Sequence, residues 1–280
     1  MRRNIDTGHA AQGWIAWALV VGVPTLVAAL IHWALWSFSS VLGFVWLAAV
    51  LYVTLGFRQF SHHFREIRSA LEEGDEALAR GKLAAWLRVD VNSLPHAELL
   101  RQVIQYSVLS AHRYVFGVLV AFVVFWMLGL GPAGAIFYRM AEYLSRNWQA
   151  RSDNSRSLAL QTAAAQAWVW IDHLPARTTA LGFAVVGNFE EAVASWRSEA
   201  KAYAPGSDGV VLAATSGALN VRLAPRTQTT TPPPELQDDV QPTRPDPQLA
   251  HLGGVVGLVW RAVVLWMLVL ALLSLARLPI

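Results

Sequence analysis

Cysteine is absent from the 280 residues, which excludes disulfides, thiolate metal sites, thiol nucleophiles and iron–sulfur ligation. Lysine occurs only at positions 82 and 201, and the arginines that carry the remaining positive charge are scattered along the chain. Without a basic stripe, nucleic acid is excluded as a partner. Charge is scarce altogether, at 15% of residues against about a quarter in an ordinary soluble domain. From Gly13 to Phe57 there is no Asp, Glu, Lys or Arg. Dinucleotide, zinc-hydrolase and serine-hydrolase signatures (G-x-G-x-x-G, H-E-x-x-H, G-x-S-x-G) do not occur. The nearest approach to a P-loop, "GDEALARGK", has six residues between Gly74 and Gly81 where four are needed, and Leu83 stands where a Mg²⁺-binding hydroxyl belongs.

What is abundant is apolar. The chain is 55% hydrophobic with a mean hydropathy of +0.38 and thirteen Trp. Trp14, Trp33, Trp36, Trp126 and Trp260 lie near the ends of apolar runs, where an indole can bury its ring and keep its N–H wet. These features predict an all-α, polytopic integral membrane protein with about four transmembrane helices and helical extramembrane segments, its first partner being the lipid bilayer.

The charge-free stretch is about twice the roughly 20 residues that one span needs, so it folds back, with a turn near "SFSS" and helices at about 14–35 and 41–57. Its apolar span is too long for a signal peptide. Arg2 and Arg3 before this hairpin (1–57) and Arg58, Arg65 and Arg68 after it place both flanks on the cytoplasmic side of a bacterial inner membrane. Residues 58–113 form an amphipathic helical region: Phe60, Phe64, Ile67 and Leu71 recur at helical spacing, Gly74-Asp75 ends one helix and caps the next, and Pro95 opens a third. A third membrane helix runs from Tyr114 to Leu130 and stops at Gly131-Pro132. The following "AGAIFYRMAEYL" has half a span of apolar length and reads as broken or re-entrant, closing a segment at 144. Residues 145–223 read as extramembrane helices. Residues 224–250, which hold most of the thirteen prolines of the chain, read as an extended Pro/Thr-rich linker. A C-terminal membrane helix occupies 251–280, with Arg261 snorkelling to the interface.

Several polar groupings have a plain structural reading. His62, His63 and Glu66 have a spacing a metal could use, and a solvated helix face explains them as well. Asp172-His173 and Glu190-Glu191 read as helix termini. Arg139 and Glu142, at i,i+3, suit a salt bridge near membrane depth. His112-Arg113, set directly against the third apolar run, reads as the polar cap of that helix.

The order "ARGKLAAWLRVD", "GLGPAGAIFYRMAEYL", "DHLPARTTALGFAVVGNFEEAVASW", "SDGVVLAATSGALNVRL" resembles the CobD/CbiB superfamily over roughly residues 45–223. That superfamily joins cobinamide synthases to AmpE-like regulatory membrane proteins. The Leu-Pro-Ala-Arg-x-Thr-Ala stretch at 174–180 is the most specific match. The resemblance implies a polytopic membrane protein, and for the synthase branch an amide-forming enzyme that uses a nucleotide to join aminopropanol to a corrinoid carboxylate. Members of the superfamily open with a further apolar segment before the equivalent of Gly13, so a start called late is expected here.

At the positions aligned with the synthases' Glu-Asn-x-x-Asp-Gly stand His112, Arg113, Phe116 and Gly117, and their Asn-Thr-x-Asp appears as Glu142, Tyr143 and Ser145. A Mg²⁺–nucleotide site needs oxygen ligands, which Phe116 cannot supply and Arg113 would repel. The sequence therefore points to the AmpE-like side: a non-catalytic signalling or accessory protein of the cell envelope, partnered by another inner-membrane or cell-wall enzyme, with no cofactor, no metal and no rescue of a synthase-deficient strain. The rival is a cobinamide synthase with altered site residues and a corrinoid substrate; a small-solute transporter is a third class. The polar positions aligned with family motifs are His112, Arg113, Arg139, Glu142, Asp172 and Arg177, none of them assigned a catalytic role. In topology, 58–113 is expected to be cytoplasmic and 145–250 periplasmic.

Overall fold

A computed structural model describes residues 7–87, 91, 94–148, 155–224 and 244–276. Among them every regular element is helical, as expected for an all-α membrane protein. Three helices are long and apolar enough to cross a membrane, Ala11–Phe38, His96–Met127 and Leu249–Leu275, and the apolar Ser40–Thr54 is shorter. The described residues divide into two compact units, one drawn from Met1–Phe57 and His112–Thr178, the other from Arg58–Ala111 and Thr179–Ile280.

In the first unit α1 (Thr7–Phe38) and α2 (Ser40–Thr54) form the expected hairpin. The break falls at Ser39, whose backbone is extended at φ −161°, ψ 130°. Helices α6 (Gly117–Met127), α7 (Ala133–Asn147) and α8 (Ser155–Ile171) complete the unit. Gly129 and Gly131 take positive φ of 78° and 59°, a conformation open to glycine, and the chain reverses there into α7 just after Pro132. Both α7 and α8 pack on α1, around a core of Val21, Leu144 and Ala164 flanked by Trp17, Phe137, Met140 and Trp148. The segment read as half a span thus forms a full helix that returns along α1.

The second unit contains α3 (Phe57–Glu72), α4 (Glu76–Leu87), α5 (His96–Ala111), the hairpin of α10 (Phe189–Tyr203) and α11 (Ser207–Leu219), and α12 (Leu249–Ala276). The apolar stripe of α3 is buried through Phe64, Ile67 and Leu71. Asp75 caps α4 by accepting from Leu78 N at 2.9 Å, as Gly74-Asp75 foretold. Glu66 pairs with Lys82 at 3.2 Å; the side chains of His62 and His63 lie outside the described residues. Arg261 bonds the Gly257 carbonyl of its own helix at 3.2 Å.

Residues 225–243, most of the expected linker, lie outside the described residues, but their flanks meet. Arg222 N donates to the Pro245 carbonyl at 2.9 Å, and its guanidinium holds Asp246 at 2.6 Å. Arg244, 5% exposed, reaches Glu199 at 3.0 Å, Glu191 at 3.2 Å and Ser195 at 3.1 Å. The two flanks, at Arg222 and at Pro245-Asp246, are thus neighbours within the second unit.

The same neck corrects the expected topology. Arg101 donates to the Ala224 carbonyl at 2.7 Å and Gln105 to that of Leu223 at 2.6 Å. A hydrocarbon layer is about 30 Å thick, so positions 101 and 224 lie on one side of it. A cytoplasmic 58–113 and a periplasmic 145–250 are incompatible there. The expectation failed because the basic bias was read only at the first hairpin, and nothing in local sequence reveals a contact across 123 residues.

Candidate functional site

The polar site of the first unit is built where α8 meets α9 (His173–Val186). Asp172 bridges them: its N–H bonds the Trp168 carbonyl and its own carbonyl accepts from Ala176, both at 2.9 Å. Its carboxylate points inward. Oδ1 accepts the Tyr138 hydroxyl at 2.7 Å and lies 3.0 Å from His112 Nε2. None of these three side chains has exposed surface, and Asp172 Oδ2 has no hydrogen-bond partner.

His112 is delivered by a single wide i→i+5 turn, His112–Phe116, that leads into α6. Such turns rotate side chains off the regular helical face and recur at functional sites. Tyr138 comes from α7 and lies against Trp168 with ring centroids 5.1 Å apart. It occupies the space a side chain at Gly117 would need, since a Cβ there would collide with the phenol. Glycine at 117 is what lets α6 and α7 approach closely enough for Tyr138 to reach Asp172.

Beside it lies a second cluster. Glu142, one turn beyond Tyr138 on α7, is 3% exposed and is flanked by Arg139 at 3.2 Å and Arg146 at 3.1 Å. The two guanidiniums sit 4.6 and 5.9 Å from the Tyr114 ring centroid, and Arg146 donates to the Tyr114 hydroxyl at 2.8 Å. Two cations stacked on one ring and sharing one carboxylate leave a positive edge. Arg113, half-buried, lies within electrostatic range of the Tyr138 phenol.

All six sequence candidates, His112, Arg113, Arg139, Glu142, Asp172 and Arg177, fall in the first unit. Arg177 bonds the His173 carbonyl of its own helix at 3.1 Å. The expected Arg139–Glu142 salt bridge is present. His112 is not a solvated helix cap: it is wholly buried, with Asp172 Oδ1 3.0 Å from its Nε2 as a polar partner. Asp172 does stand at a helix junction, but its side chain serves His112 and Tyr138 rather than the backbone. Sequence reasoning missed Tyr138, Arg146 and Tyr114. The Tyr-Arg-x-x-Glu-x-x-x-Arg spacing on α7 carried a signal for the first two; nothing local marks Tyr114.

A carboxylate holding a histidine and a phenol can orient and move a proton, and the arginine edge can neutralise an anion. Among the described residues no three His, Asp or Glu side chains converge as metal ligands. Of the buried carboxyl groups, Glu142 is flanked by Arg139 and Arg146 and Asp172 is held by His112 and Tyr138.

The profile of the CobD/Cbib protein family matches residues 1–253. The chain belongs to this family. It is 29% identical over 276 residues to a protein of Stutzerimonas stutzeri, covering 94% of this chain and 84% of the relative. A Chromobacterium violaceum protein is 34% identical over 212 residues, 76% of this chain and 64% of the relative. A Leptospira interrogans protein is 25% identical over 198 residues, 69% of this chain and 58% of the relative. All three relatives bear the name cobalamin biosynthesis protein CobD. No solved structure matches.

These relatives, named for cobalamin biosynthesis, overturn the AmpE-like, non-catalytic reading. That reading took the acidic residues to be too spread along the chain to form a site, whereas packing brings Asp172 to His112 across 60 residues.

Proposed function

We propose that this chain is a cobalamin biosynthesis enzyme of the bacterial inner membrane, a multi-pass adenosylcobinamide synthase that attaches aminopropanol to cobyric acid. The kinship with relatives named for cobalamin biosynthesis carries this reading. The buried His112–Tyr138–Asp172 cluster supports it.

Amide formation asks two things of a protein. The incoming amine must shed a proton before its lone pair can attack the carboxyl carbon, and the negative charge of the carboxyl partner must be offset. In this reading the Asp172–His112 pair takes the ammonium proton, with Tyr138 fixing the carboxylate, and Arg113 with Arg139 and Arg146 faces the anionic partner. As the C–N bond forms, the bond from the carboxyl carbon to an activating phosphate supplied by a nucleotide co-substrate breaks, and the phosphate leaves with the electron pair.

The test is rescue of a bacterial strain lacking its own synthase, supplied with cobyric acid and dependent on cobalamin for growth. This chain restores growth and Asp172→Asn does not, although membrane fractions show both proteins folded. Absence of rescue by the folded, membrane-inserted wild-type chain overturns the reading.

A further inference from the structure

Sequence analysis placed α8 outside the bilayer; we propose that it lies in the membrane beside α1, with its outer face against lipid acyl chains. Between Leu158 and Ile171 this helix has no Asp, Glu, Lys or Arg. Its length of 17 residues is just short of the roughly 20 that a full crossing takes.

Two independent features place it there. The first is what it packs on. Its inner face is small, with Ala163, Ala164 and Ala167 buried. At its start α1 comes so close that a Cβ on Gly13 would fall 2.6 Å from the Ala159 carbonyl oxygen. Backbone approach over small residues is how helices associate where no hydrophobic force drives them together. Further along, Ala164 shares a core with Val21 of α1. Contacts that advance from Gly13 to Val21 on one helix and from Ala159 to Ala164 on the other mean that α8 runs into the depth α1 spans.

The second feature is its outer face. Leu158 is 63% exposed, Val169 58%, Trp170 80% and, just past the helix, Leu174 54%. On a water-facing helix this surface would be a standing liability. Beside α1, whose own Leu19, Val23, Leu26 and Leu30 are more than half exposed, it continues one apolar surface. The polar groups on that face are few: Thr162 satisfies its hydroxyl on the Leu158 carbonyl at 2.8 Å, leaving Gln166 and, beyond the helix, His173. The continuity commits the occupant to lipid rather than to a second copy of the chain. Asp172, at the inner end of α8, is thereby held at membrane depth.

Because the chain has no cysteine, single spin labels can be placed directly at Leu158→Cys, Trp170→Cys and Leu174→Cys. Tyr52→Cys on α2 and Glu73→Cys serve as lipid and water references. In phosphatidylcholine–phosphatidylglycerol proteoliposomes, collision with oxygen is compared with collision with a water-soluble nickel chelate, and Trp170 decides. Oxygen accessibility there several-fold above that of nickel, as at Tyr52, is the expected result. Nickel accessibility matching Glu73 overturns the proposal, as does low accessibility to both reagents, which would mean a protein partner. These sites are exposed, so the labels leave the fold intact, and the readout is independent of any synthase activity.

Discussion

His112 Nε2 lies 3.0 Å from Asp172 Oδ1, across 60 residues of chain, and neither side chain has exposed surface. A buried carboxyl group that loses one of its hydrogen-bond partners costs about 1–3 kcal/mol. His112→Ala should therefore destabilise the first unit by that order, and His112→Ala with Asp172→Asn should recover most of the loss. Denaturation in mixed micelles, with the double-mutant cycle, measures this; strictly additive losses would show the pair to be uncoupled.

Tyr138→Phe removes one hydrogen bond to the same oxygen and leaves the ring packed on Trp168. The expected cost is about 1 kcal/mol in stability, with a larger fall in synthase turnover if the phenol holds Asp172 in position. An unchanged turnover would assign Tyr138 to packing alone.

Gly117→Ala places a methyl group where the Tyr138 phenol sits. Overpacking of this kind costs about 1–3 kcal/mol, and Tyr138→Ala in the same chain should relieve part of it. Thermal inactivation of the two variants side by side reads the coupling.

The neck formed by Arg222, Arg244, Pro245 and Asp246 predicts two results. A protease site engineered near Pro233 should allow cleavage without separation of the fragments on a sizing column, and Arg244→Met should let them separate. Alkaline phosphatase fused after residue 100 or within 225–243 should give the same activity state in both positions, since Arg101 touches Ala224. Opposite states would sink the shared-side assignment.

The Tyr203 hydroxyl donates to Glu199 at 2.9 Å and lies 2.7 Å from the Ser216 hydroxyl, and burial raises its phenol above the ordinary value of 10.0. A raised acid contributes its stability in full below the unfolded pKa and loses it as pH rises through the folded one. The second unit should lose stability above about pH 10, more gradually in Tyr203→Phe. Unfolding followed between pH 8 and 11.5 checks the slope.

The all-α membrane class, the Ser39 break, the stop before Pro132 and the Asp75 cap were legible in the sequence because each rests on near neighbours: a charge-free run, a missing N–H, a side chain bonding three residues ahead. Arg139–Glu142 was legible for the same reason, since helix geometry alone puts i and i+3 together. The pairing of His112 with Asp172, the collar of Arg139 and Arg146 on Tyr114, and the meeting of the two linker flanks were decided only by tertiary structure. Each joins residues far apart in the chain, and no periodicity encodes which buried polar group finds which carboxyl partner. Local reading assigned His112 to water and Asp172 to a helix end. Asp172 does stand at a helix junction, but both side chains are buried and meet each other, because a buried polar group needs a partner.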